Sequence, residues 1–476
     1  MDANASVRLF VSLTKMRRHE PFVEARGRMS VVKDIVGGER GHLLKILGVT
    51  FGVAVSVGEA IGSGILRSPS IIAAAVPGIE IILGLWLLGG VQAFLQANVL
   101  AEFATALPKS GGNYIYARRA YGSLYGDVAG LIVGWSNWLS KNAGTAAASV
   151  SFAEFLPLLW HPAAAHKIAV ALAMQLALYA ANIAGLREGR AVQETTSLIK
   201  AAMLFVFVVA AAVLVAPAEP AAVLPAGPTL QWAGIVLAYQ LILGAYSGWN
   251  SPVYFAGENT APEKTIPKAL AFGILLTGGL YLAVNWALLH TLGLQGAASS
   301  PLPFTAVLNK LGGAVPGILF ALTAMITVAS CANANIMSAP RVLFALGDDG
   351  LLPRIFARVN TGGSPTAAFL LTAVVTLALA ATGAFSRVFG LIATLNTVSA
   401  IVTGAGFFVL RAREPELRRP FRAWGYPGLP LIAVLLDVAL FFLFSWGDLT
   451  GMGVTVGMIL LCIPLALIAR RARKTA

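Results

Sequence analysis

Charge is what this sequence lacks most. Only 12% of its 476 residues are Asp, Glu, Lys or Arg, about half the roughly 25% usual in a soluble protein. A soluble domain of this length needs charge to cover its surface, so that class is excluded, and so is disorder. Cysteine is nearly absent. Cys331 and Cys462 both lie in apolar runs, so neither a disulfide framework nor a thiolate metal site follows. The five histidines are scattered and mostly sit near segment ends. There is no His-x-x-Glu-His or paired-Asp motif, and no phosphate-binding loop of the Gly-x-x-x-x-Gly-Lys-Ser/Thr kind. A membrane-embedded enzyme would need clustered acid, base or metal groups at depth. No enzyme, metal centre or bound cofactor is therefore expected. Residues 1–42 hold no apolar core followed by a small-residue cleavage site, so no signal peptide is expected.

What is present is apolar length. Apolar residues make up 57% of the chain, and the mean hydropathy is +0.78. At about 20 residues per span there is room for roughly a dozen transmembrane helices. Twelve apolar segments are predicted, at 43–76, 79–104, 122–156, 165–185, 192–216, 231–257, 266–292, 313–340, 364–383, 388–411, 428–446 and 450–470. The loops between them are short. Numbering the loops alternately, 28 Lys and Arg fall on one side and only Arg67, Lys167, Lys310 and Arg387 on the other. The positive-inside rule then puts both termini in the cytoplasm of a multi-pass cell (inner) membrane protein. Residues 1–42 and 471–476 are the cytoplasmic tails. The net charge of +13 needs no nucleic acid to explain it.

Two segments break their own helical pattern. The first contains Val57-Gly58-Glu59-Ala60-Ile61-Gly62-Ser63-Gly64-Ile65, the sixth Gly244-Ala245-Tyr246-Ser247-Gly248-Trp249-Asn250-Ser251-Pro252. Glycine weakens a helix by about 1 kcal/mol relative to alanine, and Pro252 removes an amide donor. Small residues also allow close helix packing. Unpaired backbone groups are tolerated in hydrocarbon only where they line a cavity or meet a ligand. The breaks occupy corresponding places in two five-helix halves, 43–216 and 231–411, which is the sequence mark of a transporter's central site. Free amides at a half-helix N-terminus suit a carboxylate, and free carbonyls at a C-terminus suit an ammonium. Together they match the α-groups of an amino acid.

Six motifs in order resemble the amino acid–polyamine–organocation (APC) superfamily, most closely bacterial amino acid permeases and L-amino-acid-type exchangers. They are Ile61-Gly-Ser-Gly-Ile65, Leu107-Pro-Lys-Ser-Gly-Gly-Asn-Tyr114, Ala245-Tyr-Ser-Gly-Trp-Asn250, Glu258 to Pro267, Arg341 through Pro353, and Arg419-Pro-Phe421 with Tyr426-Pro427. The resemblance implies an all-α polytopic fold of 12 transmembrane helices, LeuT-like, with a five-plus-five inverted repeat and helices 1 and 6 discontinuous. Helices 11 and 12 (428–470) are the two extra ones. It implies sodium-independent secondary transport of L-amino acids by alternating access, as an exchanger or proton symporter. The alternative is an amine or polyamine carrier of the same fold. Carried over, the amides of Ser63, Gly64 and Ile65 receive the substrate carboxylate. Carbonyls of Ile61 and of Ala245, Tyr246 and Ser247, beside Gly248, receive the α-amino group.

A charge at the bilayer centre costs at least about 2.5–3.5 kcal/mol, so each needs a reason. Relatives without sodium coupling carry a lysine at the position of Lys200, whose ammonium is thought to replace a sodium ion between helices 1 and 8; alternatively it snorkels to the cytoplasmic face. Lys141, mid-helix 3, either contacts the substrate or a gate, or forms an internal salt bridge. Glu59 departs from the family's small or hydroxyl residue. It pairs with Lys200 or Lys141, holds a transported proton, attracts a cationic substrate, or sits peripherally. Gly244 replaces an aromatic lid. Asn333 or Asn335 bonds across helices near the site, or is ordinary interhelical glue. The loop 157–167 has no cysteine, so no disulfide-linked partner subunit is expected. Helices 11 and 12 are a candidate homodimer surface. The partners implied are the amino acid and the lipid bilayer.

Overall fold

The computed structural model describes residues 45–184, 186–218, 231–300, 302–310, 315–360, 363–382, 385–447 and 449–475. The N-terminal tail, 1–42, lies outside the described residues.

Every apolar segment of the sequence holds a helix. The first is split into α1 (Val49–Ala60) and α2 (Ser63–Ala75). Then come α3 (Ile79–Ala106), α4 (Asn113–Tyr121), α5 (Ser123–Phe155), α6 (Lys167–Ala184) and α7 (Leu186–Leu214). The second half holds α8 (Trp232–Tyr246), a 3-10 stretch at Ser251–Glu258, α9 (Pro262–Ser299), α10 (Pro303–Lys310), α11 (Val315–Asp348), α12 (Thr366–Ala381) and α13 (Phe385–Arg413). The chain closes with α14 (Gly428–Gly447) and α15 (Leu449–Thr475). No strand forms among the described residues. Among the described residues, seven helices are long and apolar enough to cross a membrane, and the bent α1–α2 pair is an eighth candidate.

Two boundaries differ from the sequence reading. α7 starts at Leu186, six residues before the apolar run, and α15 continues into the stretch read as a tail. Helical backbone extends past the hydrocarbon wherever charged residues reach water, so hydropathy underestimates such ends. The short helices α4 and α10 fall in loops between apolar runs.

The centre of the bundle is α5. It packs against α6, α11, α12 and α13. Its buried positions include Ser136, Asn137, Ser140, Lys141 and Asn142. Membrane helices associate through small and polar residues because lipid offers no hydrophobic drive between them, and α5 follows that rule. The broken helices lie beside this pillar: α2 packs against α8, and both α1 and α2 against α9.

Candidate functional site

Between α1 and α2 only Ile61 and Gly62 leave the helix, and the axis bends by 41°. The first turn of α2 has no side-chain cap, so its amides are free for another acceptor. The second break follows Tyr246. Ser247 leaves the helix and Gly248 takes φ +110°, a backbone that suits glycine. A Cβ on Gly248 would lie 2.6 Å from the Glu59 side chain, and one on Gly64 2.8 Å from the Ala245 backbone. Glycine is needed at both places because the breaks touch.

They border a small cavity of about 30 Å³, room for about two waters. Glu59, Ala60, Gly62, Ser63, Gly64, Ala245 and Ser247 line it. So does Gly244, where an aromatic lid was absent. Ser140, Gly144, Cys331, Asn335 and Ile392 complete the wall, and of these only Asn335 is a candidate from sequence. Which face a helix turns inward follows from its packing, and no local motif marks it. Ile61, Ile65, Tyr246 and Gly248 stand behind this wall. The Tyr246 hydroxyl donates to the Trp86 carbonyl at 3.0 Å, away from the cavity.

Four carbonyls at the breaks are already engaged by side chains. Lys200 Nζ donates to the carbonyls of Gly58 at 2.5 Å and Ile61 at 2.7 Å. Lys200 is fully buried and does not snorkel. The Tyr281 hydroxyl lies 2.6 Å from the Ala60 carbonyl and 2.8 Å from that of Ala245. Its single proton is shared between the two breaks. Of the carbonyls expected to receive an amino group, Tyr246 and Ser247 remain. Tyr281 was missed from sequence, because one tyrosine in an apolar helix carries no signal of its partners.

Glu59 pairs with Lys141, not with Lys200. Lys141 Nζ is 2.7 Å and 2.9 Å from its two carboxylate oxygens. Ser251 also donates to Glu59, and Ser338 lies at 3.5 Å. Lys141 stands 4.3 Å over the Tyr254 ring. The pair therefore ties α1 and α5 to the 3-10 stretch and α11, with its hydrogen-bonding capacity well used. Asn333 lies apart from the cavity. It accepts from Asn182 at 2.7 Å and donates to Gln193 at 2.9 Å, joining α6, α7 and α11.

Further ion pairs join the segments away from the cavity. Arg341 grips Glu258 with two donors at 2.5 and 2.7 Å. Glu102 pairs with Arg411 and Arg419 rather than with Lys109, Arg118 or Arg119. Arg118 bridges Asp127 and Asp349, and the Tyr114 hydroxyl donates to Asp349 at 2.7 Å. Burial raises the Tyr114 pKa well above its ordinary value, and the Asp349 carboxylate adds to this. The Ile46 and Leu47 amides bond the Glu258 carbonyl, both at 3.1 Å. The entry to α1 and the end of the 3-10 stretch are thus one unit.

A helical membrane bundle whose two interrupted helices meet at a polar cavity is a secondary transporter in architecture. The family model for amino acid permeases matches residues 44–468, and the chain belongs to that family, with its LeuT-like fold. It is 25% identical over 404 residues to a serine/threonine exchanger of Bacillus subtilis, covering 83% of this chain and 90% of the relative. It is 25% identical over 441 residues to the human large neutral amino acids transporter small subunit 2, covering 90% and 81%. An uncharacterised transporter of Mycobacterium tuberculosis is 28% identical over 439 residues, covering 91% and 94%.

Proposed function

We propose that this protein carries L-amino acids across the cell membrane by alternating access, without sodium. One observation carries the reading: the uncapped amides of α2 and the carbonyl end of α8 face one small cavity. The substrate carboxylate meets the amides of Ser63, Gly64 and Ile65. The α-amino group meets the Tyr246 and Ser247 carbonyls, beside Gly248, or displaces Tyr281 from Ala245. Lys200 supports sodium independence, because its ammonium occupies the Gly58 and Ile61 carbonyls that a cation would otherwise take. Glu59 and Lys141 act as a latch under the cavity, and Asn333 braces α11 behind it.

The cavity also speaks to the side chain. With Ser140, Ser247 and Asn335 in its wall, it suits a polar one. In this reading the chain crosses twelve times, 43–216 and 231–411 are inverted repeats, 428–470 adds two helices, and both termini are cytoplasmic. The asymmetry of basic residues supports the orientation. No disulfide-linked subunit is expected, since Cys331 and Cys462 are both buried.

Thermal unfolding of the purified protein tests the ligand class. A ligand that binds only the folded state stabilises it by about 2.7 kcal/mol at about 100 times its Kd. L-serine, L-threonine and L-alanine should raise the melting temperature more than L-leucine or L-arginine. Ethanolamine, which lacks the carboxylate, should leave it unchanged. Stabilisation by ethanolamine or a polyamine, with none by any L-amino acid, would replace this reading with an amine carrier.

A further inference from the structure

Five carboxylates are buried among the described residues, and four of them meet a cation. Glu59 has Lys141, Glu102 has Arg411 and Arg419, Asp127 has Arg118, and Glu258 has Arg341. The fifth is Asp437, only 3% exposed and in the middle of α14. Its partners are neutral. The side-chain amides of Gln92 and Gln96, on α3, both donate to Oδ1, at 2.8 and 2.7 Å. An ionised carboxylate at this depth without a cation is costly, and neutral donors offset only part of the cost. Such a group is neutralised by a proton or by a cation.

Beside Asp437 lies a cavity of about 70 Å³, distinct from the small one between the breaks. Four side chains in its wall hold a buried polar atom with no protein partner: Asn113 Oδ1, Asn137 Nδ2, Ser399 Oγ and Thr403 Oγ1. Each residue is at most 5% exposed. Native interiors rarely leave such atoms unpaired. Four of them around one hollow mark a place built to hold water or a polar ligand, and the hollow has room for several waters.

The same cavity touches Ser247 and Gly248 at the second break. Ser247 lines both cavities, and Asn396 donates to its hydroxyl at 2.8 Å. The Ser247–Asn396 pair is therefore the partition between Asp437's cavity and the substrate's.

We propose that Asp437 and this polar cavity form a proton-binding site linked to the helix 6 break, so that its protonation is coupled to substrate movement. The proton adds to the carboxylate and leaves a neutral acid. Few groups compete for it. From α8, Tyr239 donates to Gln92 Oε1 at 2.6 Å. From α13, Asn396, Ser399 and Thr403 face the cavity and do not titrate. The charged residues of α3 and α13 that the structure describes, Glu80, Glu102, Arg411 and Arg413, lie at helix ends. Gln92 and Glu102 are ten residues apart, about 15 Å along α3. On α15, Arg470 and Arg471 are likewise near the helix end.

Protonation itself can be read without any transport assay. In the infrared spectrum at neutral pH, the wild type should show the carbonyl stretch of a protonated carboxylic acid. Asp437→Asn should lack it, and Asp437→Glu should keep it at a shifted frequency. Absence of the band from the wild type, or its persistence in Asp437→Asn, would overturn the proton site. Loss of the band on adding sodium or potassium at fixed pH would mean that the cavity takes a metal ion instead, which also overturns it. The coupling rests on the proposed amino acid transport and is tested separately in proteoliposomes with an internal pH dye. Protons moved per amino acid carried should fall to background in Asp437→Asn. An unchanged ratio would overturn the coupling alone. Failure of the wild type to carry amino acids would overturn the transport reading and leave the infrared result standing.

Discussion

Lys200→Met should lose amino acid uptake by about two to four orders of magnitude. The wild-type ammonium makes charge-assisted hydrogen bonds to the Gly58 and Ile61 carbonyls. Each such bond is worth about 1.5–3 kcal/mol, and every 1.4 kcal/mol is about tenfold in an equilibrium. Methionine fills the space but leaves both carbonyls without a donor in a buried place. The end of α1 is then free to unwind further or to rotate, and the α2 amides lose their aim at the cavity. Lys200→Arg should not rescue uptake, because a planar fork does not replace a compact ammonium between two carbonyls. The check is initial-rate uptake into proteoliposomes, with size-exclusion profiles showing folded protein. Uptake within about threefold of wild type, a difference well under 1.4 kcal/mol, would show that the tie to α1 is dispensable.

Glu59→Ala should be the most destabilising single change at the site, by about 3–5 kcal/mol. It leaves the Lys141 ammonium buried, at 5% exposure, with no counter-charge. Burying an ion pair costs desolvation, so the pair is weak evidence of stability but its half-removal is severe. Removing both charges, as in Glu59→Leu with Lys141→Met, should therefore recover most of the loss. Melting in detergent reads this directly. A double variant as unstable as Glu59→Ala would mean that Glu59 acts through contacts other than Lys141. Ser251 and Ser338 would then be the ones to examine. The latch predicts a second effect. The neutral double variant should release substrate to the basic-loop side faster than wild type, because α1 and the 3-10 stretch lose a shared anchor.

Much of this architecture is legible in the chain. Hydropathy locates every long helix, because lipid demands a continuous apolar run. The breaks are visible to within a residue or two. Gly62 is the N-cap of α2, and Gly248 has positive φ. Lys200 stands out as a lone lysine in an apolar helix, but the choice between burial and snorkelling is made by packing. Glu59 has several candidate partners in the sequence, and only the three-dimensional placement of Lys141 beside it decides for that one. Other features leave no local trace. The Tyr281 bridge joins residues 36 and 221 positions apart. The cavity wall from Ser140, Gly144 and Asn335 depends on how α5 and α11 are rotated. Asp437 is a different case. A single Asp in the run Val434-Leu-Leu-Asp-Val-Ala is conspicuous, yet counting only Lys and Arg for orientation passes over it. Lone acids in membrane segments merit the same attention as lone lysines.

The central claim is sodium-independent carriage of L-amino acids through the site between the two breaks. The most direct test is uptake of radiolabelled L-serine, L-threonine and L-alanine into proteoliposomes, with sodium absent on both sides. It is run with and without internal unlabelled amino acid, and with and without an inward proton gradient. The account predicts saturable uptake of at least one of them in sodium-free buffer, raised by internal amino acid or by the gradient. Folded protein that takes up no L-amino acid, or does so only when sodium is added, would contradict it.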